Sequence, residues 1–541
     1  MRKYILMLLL GSITLACTDH FEDINTDKSG IPTTDESTGE TKEPAIEYLA
    51  LAQRAIYSDD TGPYPIAAWV LQVQSNLNVD IWSGYLASGT NFLGGINNQS
   101  YALVEGWNGY MFEYWGRTMG QVKDMTASYD ALPSPGKADK TVRAMGIVTR
   151  ILASVRTVDM YGTLPYTSFG GTEPAYDSME EIYNHFFSEL DEAVTLLEAG
   201  ENVPNAQDKD LFFGGNREKW LRLANSMRLR IALRIVKADP ALAKQEAEKA
   251  IAQGGGMIVE NTQNAGFNNS LLNGLCVLAQ GWGDTRMSAD MESILTGYED
   301  PRLPALFSKN DGKYRGVRVG SVFSTNSGAL YSSLGTAFPL GATYEKAPMY
   351  LFTAAETHFL LAEAALRGYA GAGSAEANYN NGITRSMEQW DVTDPNTIND
   401  YLNSDATFAD WVSGNEQIAN SVSAQSKVTP KFAAATSNEE KLEKIITQKW
   451  IAMFPAGSSE AWSEYRRTGY PRLIPPYRAY SLPRIKVSYG PGEVNNAKKV
   501  RLAQNEYDTN YTNVDKAVTA FFNGVDGLGT PVWWDVDVPN L

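Results

Sequence analysis

The sequence predicts an all-α fold of closely packed helices separated by long irregular loops. Three observations predict it. Apolar residues recur at three- and four-residue steps through most of the chain after Pro44. One segment, Leu351, Ala354, Ala355, His358, Ala362 and Ala365, puts mostly small residues on one face, which lets helix axes approach closely. The stretches between periodic segments are rich in Gly, Asn and Ser, and the runs 77–109, 254–285, 308–348 and 470–511 are too long for simple connections.

From the N-terminus, Met1-Arg2-Lys3 precedes the apolar run Tyr4 to Leu10. About 20 apolar residues are needed to span a bilayer, and this run is far shorter. It reads as a signal peptide over residues 1–16. Leu15-Ala16-Cys17 resembles the lipobox of bacterial lipoproteins, so Cys17 is expected to carry lipid and anchor the chain to a membrane. Loss of the leader removes Arg2 and Lys3 and takes the formal charge from −17 to −19. Residues 17–44 are acidic near their start and rich in Thr, Ser, Gly and Pro further on, which reads as a tether.

Helices follow. Val148, Ile151, Leu152, Val155 and Val158 share one face, as do Ile182, Phe186, Leu190, Ala193 and Leu197. Trp220, Leu223, Met227 and Ile231 form an apolar stripe with Arg222, Arg230 and Arg234 on another face. Ile445, Trp450, Met453 and Phe454 end a helix before Pro455. No internal repeat of about 34 residues is evident. No linker after Pro44 divides the chain, so 45–541 is expected to be one large helical domain.

Composition excludes several functions. The acidic balance opposes a nucleic-acid partner, since a phosphate backbone selects a basic surface. Two Cys and three His exclude a disulfide framework and a zinc cluster. Cys276, within Leu275-Cys276-Val277-Leu278, reads as a small buried hydrophobe. No nucleophile elbow, HExxH, P-loop or EF-hand spacing occurs, and no metal or cofactor is expected. His185 and His358 sit in helical patterns and read as structural.

Several stretches in order resemble the SusD/RagB family of Bacteroidetes outer-membrane lipoproteins. Phe21 to Asp27 follows the lipobox, and Asp159 to Tyr166 (DMYGTLPY) is similar to a family turn. Asp300-Pro301-Arg302 and Ala362-Glu363-Ala364 match further motifs. Gln448 to Ala452, Glu460 to Pro471 (EAWSEYRRTGYP) and Val532 to Asp535 resemble the C-terminal signature. The resemblance implies tetratricopeptide-like helix pairs in a superhelical scaffold with long loops. It also implies a cell-surface lid that captures an oligosaccharide or oligopeptide. It further implies that the lid delivers that ligand to a SusC-type TonB-dependent barrel in the outer membrane, without catalysis. A surface glycoside hydrolase and a polymer-binding adhesin are the rival readings.

No family ligand residues carry over, because the loops match no motif. The candidates therefore come from residue chemistry. Trp82, Tyr85, Phe92, Tyr101 and Trp107 interleave with Asn76, Asn78, Asp80, Ser83, Asn91, Asn97, Asn98 and Gln99. Aromatic rings suit the apolar face of a sugar, and amides and carboxylates suit its hydroxyls or a peptide backbone. Trp282, between Gly281 and Gly283, is a further candidate for a ring presented on a turn. The expected ligand contacts are Trp82, Tyr85, Tyr101, Trp107 and Trp282. Arg228, Arg230, Arg234, Arg466 and Arg467 read as structural partners of buried acids.

Overall fold

The structure is a computed structural model that describes residues 44–57, 68–267, 274–322, 327–338, 348–413, 421–478, 485–486, 493–494 and 497–541. The signal peptide, Cys17 and the tether lie outside these residues, apart from Pro44. Residues 45–541 cluster as one unit.

The described residues are mostly helical. Helices of eight residues or more are α1 (Leu49–Ile56), α2 (Tyr110–Asp130), α3 (Lys137–Tyr161), α4 (Met179–Glu198), α5 (Arg217–Arg234), α6 (Pro240–Ala252) and α7 (Ala289–Gly297). They continue with α8 (Ala354–Leu366), α9 (Ala375–Gln389), α10 (Pro395–Leu402), α11 (Asn438–Ala452), α12 (Ser458–Thr468) and α13 (Tyr511–Phe522). Among the described residues, strands are short and form antiparallel pairs. In chain order they are β1 (Leu86–Ser88), β2 (Thr163–Leu164), β3 (Asp177–Ser178), β4 (Ala265–Phe267), β5 (Thr285–Met287), β6 (Met349–Phe352), β7 (Ile485–Lys486) and β8 (Glu493–Val494). The pairs are β1–β5, β2–β3, β4–β6 and β7–β8. Among the described residues, no helix is long and apolar enough to cross a membrane.

Local sequence explains the helix boundaries. Ser178 caps α4, reciprocated by Glu181, and Asp239 caps α6 with Pro240 at its first position. α3 stops at Gly162, whose φ of 83° is left-handed. The apolar stripes predicted on α3, α4 and α5 are buried, and successive helices α2–α3, α3–α4, α4–α5, α5–α6 and α8–α9 pack pairwise.

The Arg residues of α5 do not form a solvent face. Arg228, Arg230 and Arg234 are buried, because neighbouring helices bring carboxylates against them: Glu246 of α6 against Arg228, Glu356 of α8 against Arg230, and Glu460 and Glu464 of α12 against Arg234. Arg230 pairs with Glu356 at 2.6 Å, Arg234 with Glu460 at 2.5 Å, and Lys449 with Glu460 at 2.9 Å. Arg467 bridges Glu363 at 2.7 Å and Glu464 at 2.6 Å. Burial alone would raise the Glu460 carboxyl, but Arg234, Lys449 and Arg230 outweigh it and hold it below the usual carboxylate range. Arg466 stacks on Trp462 at 3.6 Å and on Trp534 at 4.8 Å, and donates to the Asp159 carbonyl at 2.7 Å. Arg302 of the DPR turn is fully buried and holds Asp300, Ser386 and Gln448. The C-terminal signature thus ties α3, α5, α8, α11 and α12 together.

Candidate functional site

The run 77–109, expected to be a loop, contains short helical turns and β1. Its aromatics mostly face inward. Trp82 is 2 % exposed, lies 5.1 Å from Trp462, and donates from Nε1 to the Asn98 carbonyl at 3.1 Å. Tyr85 is fully buried against Trp450 and Phe454, and its hydroxyl donates to the Trp450 carbonyl at 2.5 Å. Tyr101 is buried in the same layer as Trp82. These three rings leave no face open to a ligand; they fasten the loop to α11 and α12. Trp107 is half-buried and meets Phe92 edge-on at 5.9 Å. Trp282 is 47 % exposed.

The amides expected to meet a ligand are largely spent on the loop itself. Asn98 donates to Asn108 and accepts from the Val104 N–H, both at 3.0 Å. Gln99 accepts from the Ser88 N–H at 3.0 Å. Asn97 accepts from the Gln99 N–H at 2.9 Å and donates to the Phe92 carbonyl at 2.8 Å. Asn76, Asn78, Asp80 and Ser83 are buried as well. Such satisfaction is what a buried polar segment requires.

What that scaffold presents is a short exposed loop. Leu93, Gly94 and Gly95 have φ of 50°, 65° and 83°, and Leu93 and Ile96 are 61 % and 54 % exposed. A left-handed leucine is strained, and such strain persists only where the surroundings impose it. The Asn97 bond to Phe92 and the Ser100 hydroxyl bond to the Gly95 carbonyl at 2.8 Å supply that support.

Trp282 stands on a second loop. It closes a π-helical turn, Val277–Trp282, and Gly283 follows at φ 76°. Asp284 then staples the turn to its neighbours. It accepts from Gln72 at 3.0 Å and from Thr90 at 2.7 Å, and its carbonyl accepts from the Gly89 N–H at 2.8 Å. A third loop, Ser327–Leu330, exposes Leu330 (46 %), and its Gly328 carbonyl accepts from Arg286 Nε at 2.6 Å. The three backbones touch through glycine. A methyl group on Gly89 would lie 3.0 Å from the Gly283 carbonyl oxygen and 3.2 Å from Gly328 Cα. The junction of Gly89, Gly283 and Gly328 therefore gathers the loops that carry Leu93, Ile96, Trp282 and Leu330. The aliphatic three were not anticipated from sequence; Leu93-Gly94-Gly95 behind a row of amides was their one visible sign.

Substituting Gly283 by Ala is expected to cost about 1–2 kcal/mol, because a side chain there is left-handed. Its Cβ would also lie 3.0 Å from the Arg286 guanidinium. Chemical denaturation measures the loss.

Two carboxyls of α7, the helix that follows β5, fix neighbouring loops. Asp290 accepts from the Ile474 N–H at 2.6 Å, and Glu292 from the Gly316 N–H at 2.5 Å. Burial pushes both carboxyls up to about 7, against the lowering by those N–H groups. Their folded values lie above the unfolded ones, near 4. The folded state thus binds more protons between about pH 4 and 7, and stability falls as pH rises through that window. A higher Tm near pH 5.5 than near pH 8 is expected, with part of the difference removed by Asp290→Asn.

Elsewhere, burial pushes the Cys276 thiol up to about 12, so it is not a nucleophile at neutral pH. His358 Nε2 lies 3.2 Å from the Val259 carbonyl within the helical body, and His185 is an exposed helix residue. Among the described residues, no group of three or more His, Cys, Asp or Glu could hold a metal ion.

The family model for SusD-like proteins, described as SusD and RagB outer membrane lipoprotein, matches residues 23–535. The chain belongs to the SusD/RagB family. A chitin-binding SusD homologue from Flavobacterium johnsoniae is 37 % identical, with a TM-score of 0.81 over 92 % of this chain and 100 % of its own. A SusD homologue from Bacteroides vulgatus is 30 % identical, with a TM-score of 0.81 over 91 % and 98 %. A SusD-like protein from Bacteroides thetaiotaomicron is 28 % identical, with a TM-score of 0.78 over 91 % and 98 %. No curated protein matches the chain. The all-α, tetratricopeptide-type fold class expected from sequence is the one these relatives share. As a SusD-like chain, this one falls among binding proteins of the outer membrane.

Proposed function

We propose that this protein captures a neutral, N-acetylated β-glycan of the chitin type at the outer face of the outer membrane and passes it, unbroken, to a SusC-type TonB-dependent barrel. Lipid on Cys17 holds it at the membrane. The observation that carries the reading is Trp282, a half-exposed indole at the junction of three loops. An indole face suits the C–H face of a pyranose, and Leu93, Ile96 and Leu330 suit acetyl methyl groups. The Flavobacterium relative supports the ligand class, since it binds chitin.

Both side-chain oxygens of Asp284, the carboxylate beside Trp282, are acceptors from Gln72 and Thr90. That engagement suits a group that positions the ring and does not suit proton transfer. Two carboxylates flanking one glycosidic bond would be needed for hydrolysis. Copurification from membranes in mild detergent tests the partner: a large β-barrel protein is expected at one-to-one, and a chain recovered alone contradicts it. Titration against N-acetylglucosamine oligomers and a peptide pool tests the ligand, with a peptide-only response overturning the glycan reading.

A further inference from the structure

The junction of Gly89, Gly283 and Gly328 is assembled around one side chain, Arg286. It sits in β5 opposite Ala87 of β1; Thr285 and Met287 on either side are buried, and Arg286, on the other face, is partly exposed. The side chain passes against Gly89, where a methyl group would meet Arg286 Cγ at 3.0 Å. Nε donates to the Gly328 carbonyl at 2.6 Å, and Nη1 donates to the carbonyls of Ala279 at 2.5 Å and Thr285 at 2.9 Å. One guanidinium thus ties the turn that ends in Trp282 to the Ser327–Leu330 loop.

Those bonds leave Nη2 over. A guanidinium carries five N–H donors in a planar fork and accepts nothing. Among the described residues Nη2 has no acceptor. It lies 3.0 Å from where a methyl group on Gly283 would stand, beside the residue that follows Trp282. The neighbouring carboxylate is already engaged, since Asp284 accepts from Gln72 and Thr90. Burial lowers the pKa of the Arg286 guanidinium and Asp284 opposes that, but the group stays charged at neutral pH. With Asp284 close by, the junction is not of one sign, so it selects by hydrogen bonding and not by net charge. A charged donor next to an exposed indole fits an acceptor carried on a ring that stacks there. On an N-acetylated sugar the amide oxygen is a stronger acceptor than the hydroxyls.

We propose that Arg286 determines the specificity of the Trp282 site: Nη2 donates to the acetamido carbonyl of the sugar stacked on Trp282, while Nε and Nη1 hold the two loops in place around it. The proposal rests on the glycan-capture reading above. It makes the amide the group that is read, and the pyranose face only the surface that is held. A ligand with a poorer acceptor at that place leaves a charged donor unpaired and loses affinity. Lysine does not substitute, because one ammonium cannot serve the loop carbonyls and the ligand in the geometry of a planar fork.

The test is isothermal titration with an N-acetylglucosamine tetramer and its N-thioacetyl analogue, in which sulfur, a weaker acceptor, replaces each acetamido oxygen. Wild type, Arg286→Lys and Arg286→Met are compared. The wild type is expected to bind the acetyl tetramer about tenfold more tightly than the thioacetyl one. Both variants are expected to bind the acetyl tetramer about tenfold more weakly than wild type and to bind the two tetramers nearly alike. A residue that only braced the loops would weaken both ligands equally and leave their ratio unchanged, and that result overturns the proposal. Circular dichroism checks that the variants fold; if neither does, the wild-type ratio decides, and equal affinity for the two tetramers overturns the proposal. Failure of the wild type to bind either tetramer overturns the glycan-capture reading and this assignment with it. Binding that is lost in Trp282→Ala yet indifferent to sulfur overturns the role of Arg286 alone.

Discussion

Replacing Arg467 by methionine is expected to cost about 3–5 kcal/mol of folding stability. Methionine keeps much of the aliphatic volume, so the loss isolates the charge. Arg467 is 1 % exposed and donates to both oxygens of Glu363 at 2.7 Å, and to Glu464 at 3.0 and 2.6 Å. Burial alone would raise the Glu363 carboxyl; Arg467 and then Arg367 overcome it and hold it down. Without the guanidinium, Glu363 keeps only Arg367, and Glu464 keeps Arg234 and Lys449. An undercompensated buried carboxylate carries most of the cost. Adding Glu363→Gln to the variant is expected to restore part of the stability, since it removes the orphaned charge. Urea denaturation reads both, and a loss below about 1 kcal/mol for the single variant would show that the pair behaves as if solvated.

Replacing Trp282 by alanine is expected to weaken glycan binding by about 1–3 kcal/mol, roughly five- to 150-fold, with little change in stability. The ring is half exposed and ends a turn that Asp284, Gly283 and Gln280 hold without it; the Gln280 amide donates to the Phe338 carbonyl at 2.6 Å. Trp82→Ala gives the contrasting result. It empties a buried site beside Trp462 and leaves the Asn98 carbonyl without its indole donor. The cost is about 3–5 kcal/mol of stability, and any loss of binding follows from the unfolded fraction. Titration and denaturation on both variants separate a ligand platform from a structural ring.

The contrast shows how much of the molecule is legible in the sequence. Helices α3, α4 and α5 could be read because their burial repeats at the helical period and needs only local spacing. The Arg residues of α5 could be assigned to buried pairing by their chemistry, but their partners on α8 and α12 lie more than a hundred residues away and no local pattern names them. The aromatic loop misleads for a related reason. Aromatics interleaved with amides describe both a surface that meets a sugar and a segment that must satisfy its own backbone while packed inside, as Trp82, Tyr85, Asn97 and Asn98 do. Trp282 was visible because flanking glycines mark a turn that can hold a ring outward. The meeting of Gly89, Gly283 and Gly328 was not visible, since the close approaches of Gly89 and Gly328 to each other and to the Gly283 carbonyl join segments far apart in the sequence.

The central claim is capture of a glycan without cleavage. Titration of the wild-type chain with an N-acetylglucosamine hexamer, followed by sizing of the recovered sugar, tests it most directly. Saturable binding with the hexamer returned intact is the predicted result; absence of binding, or recovery of shorter oligomers, would contradict the account.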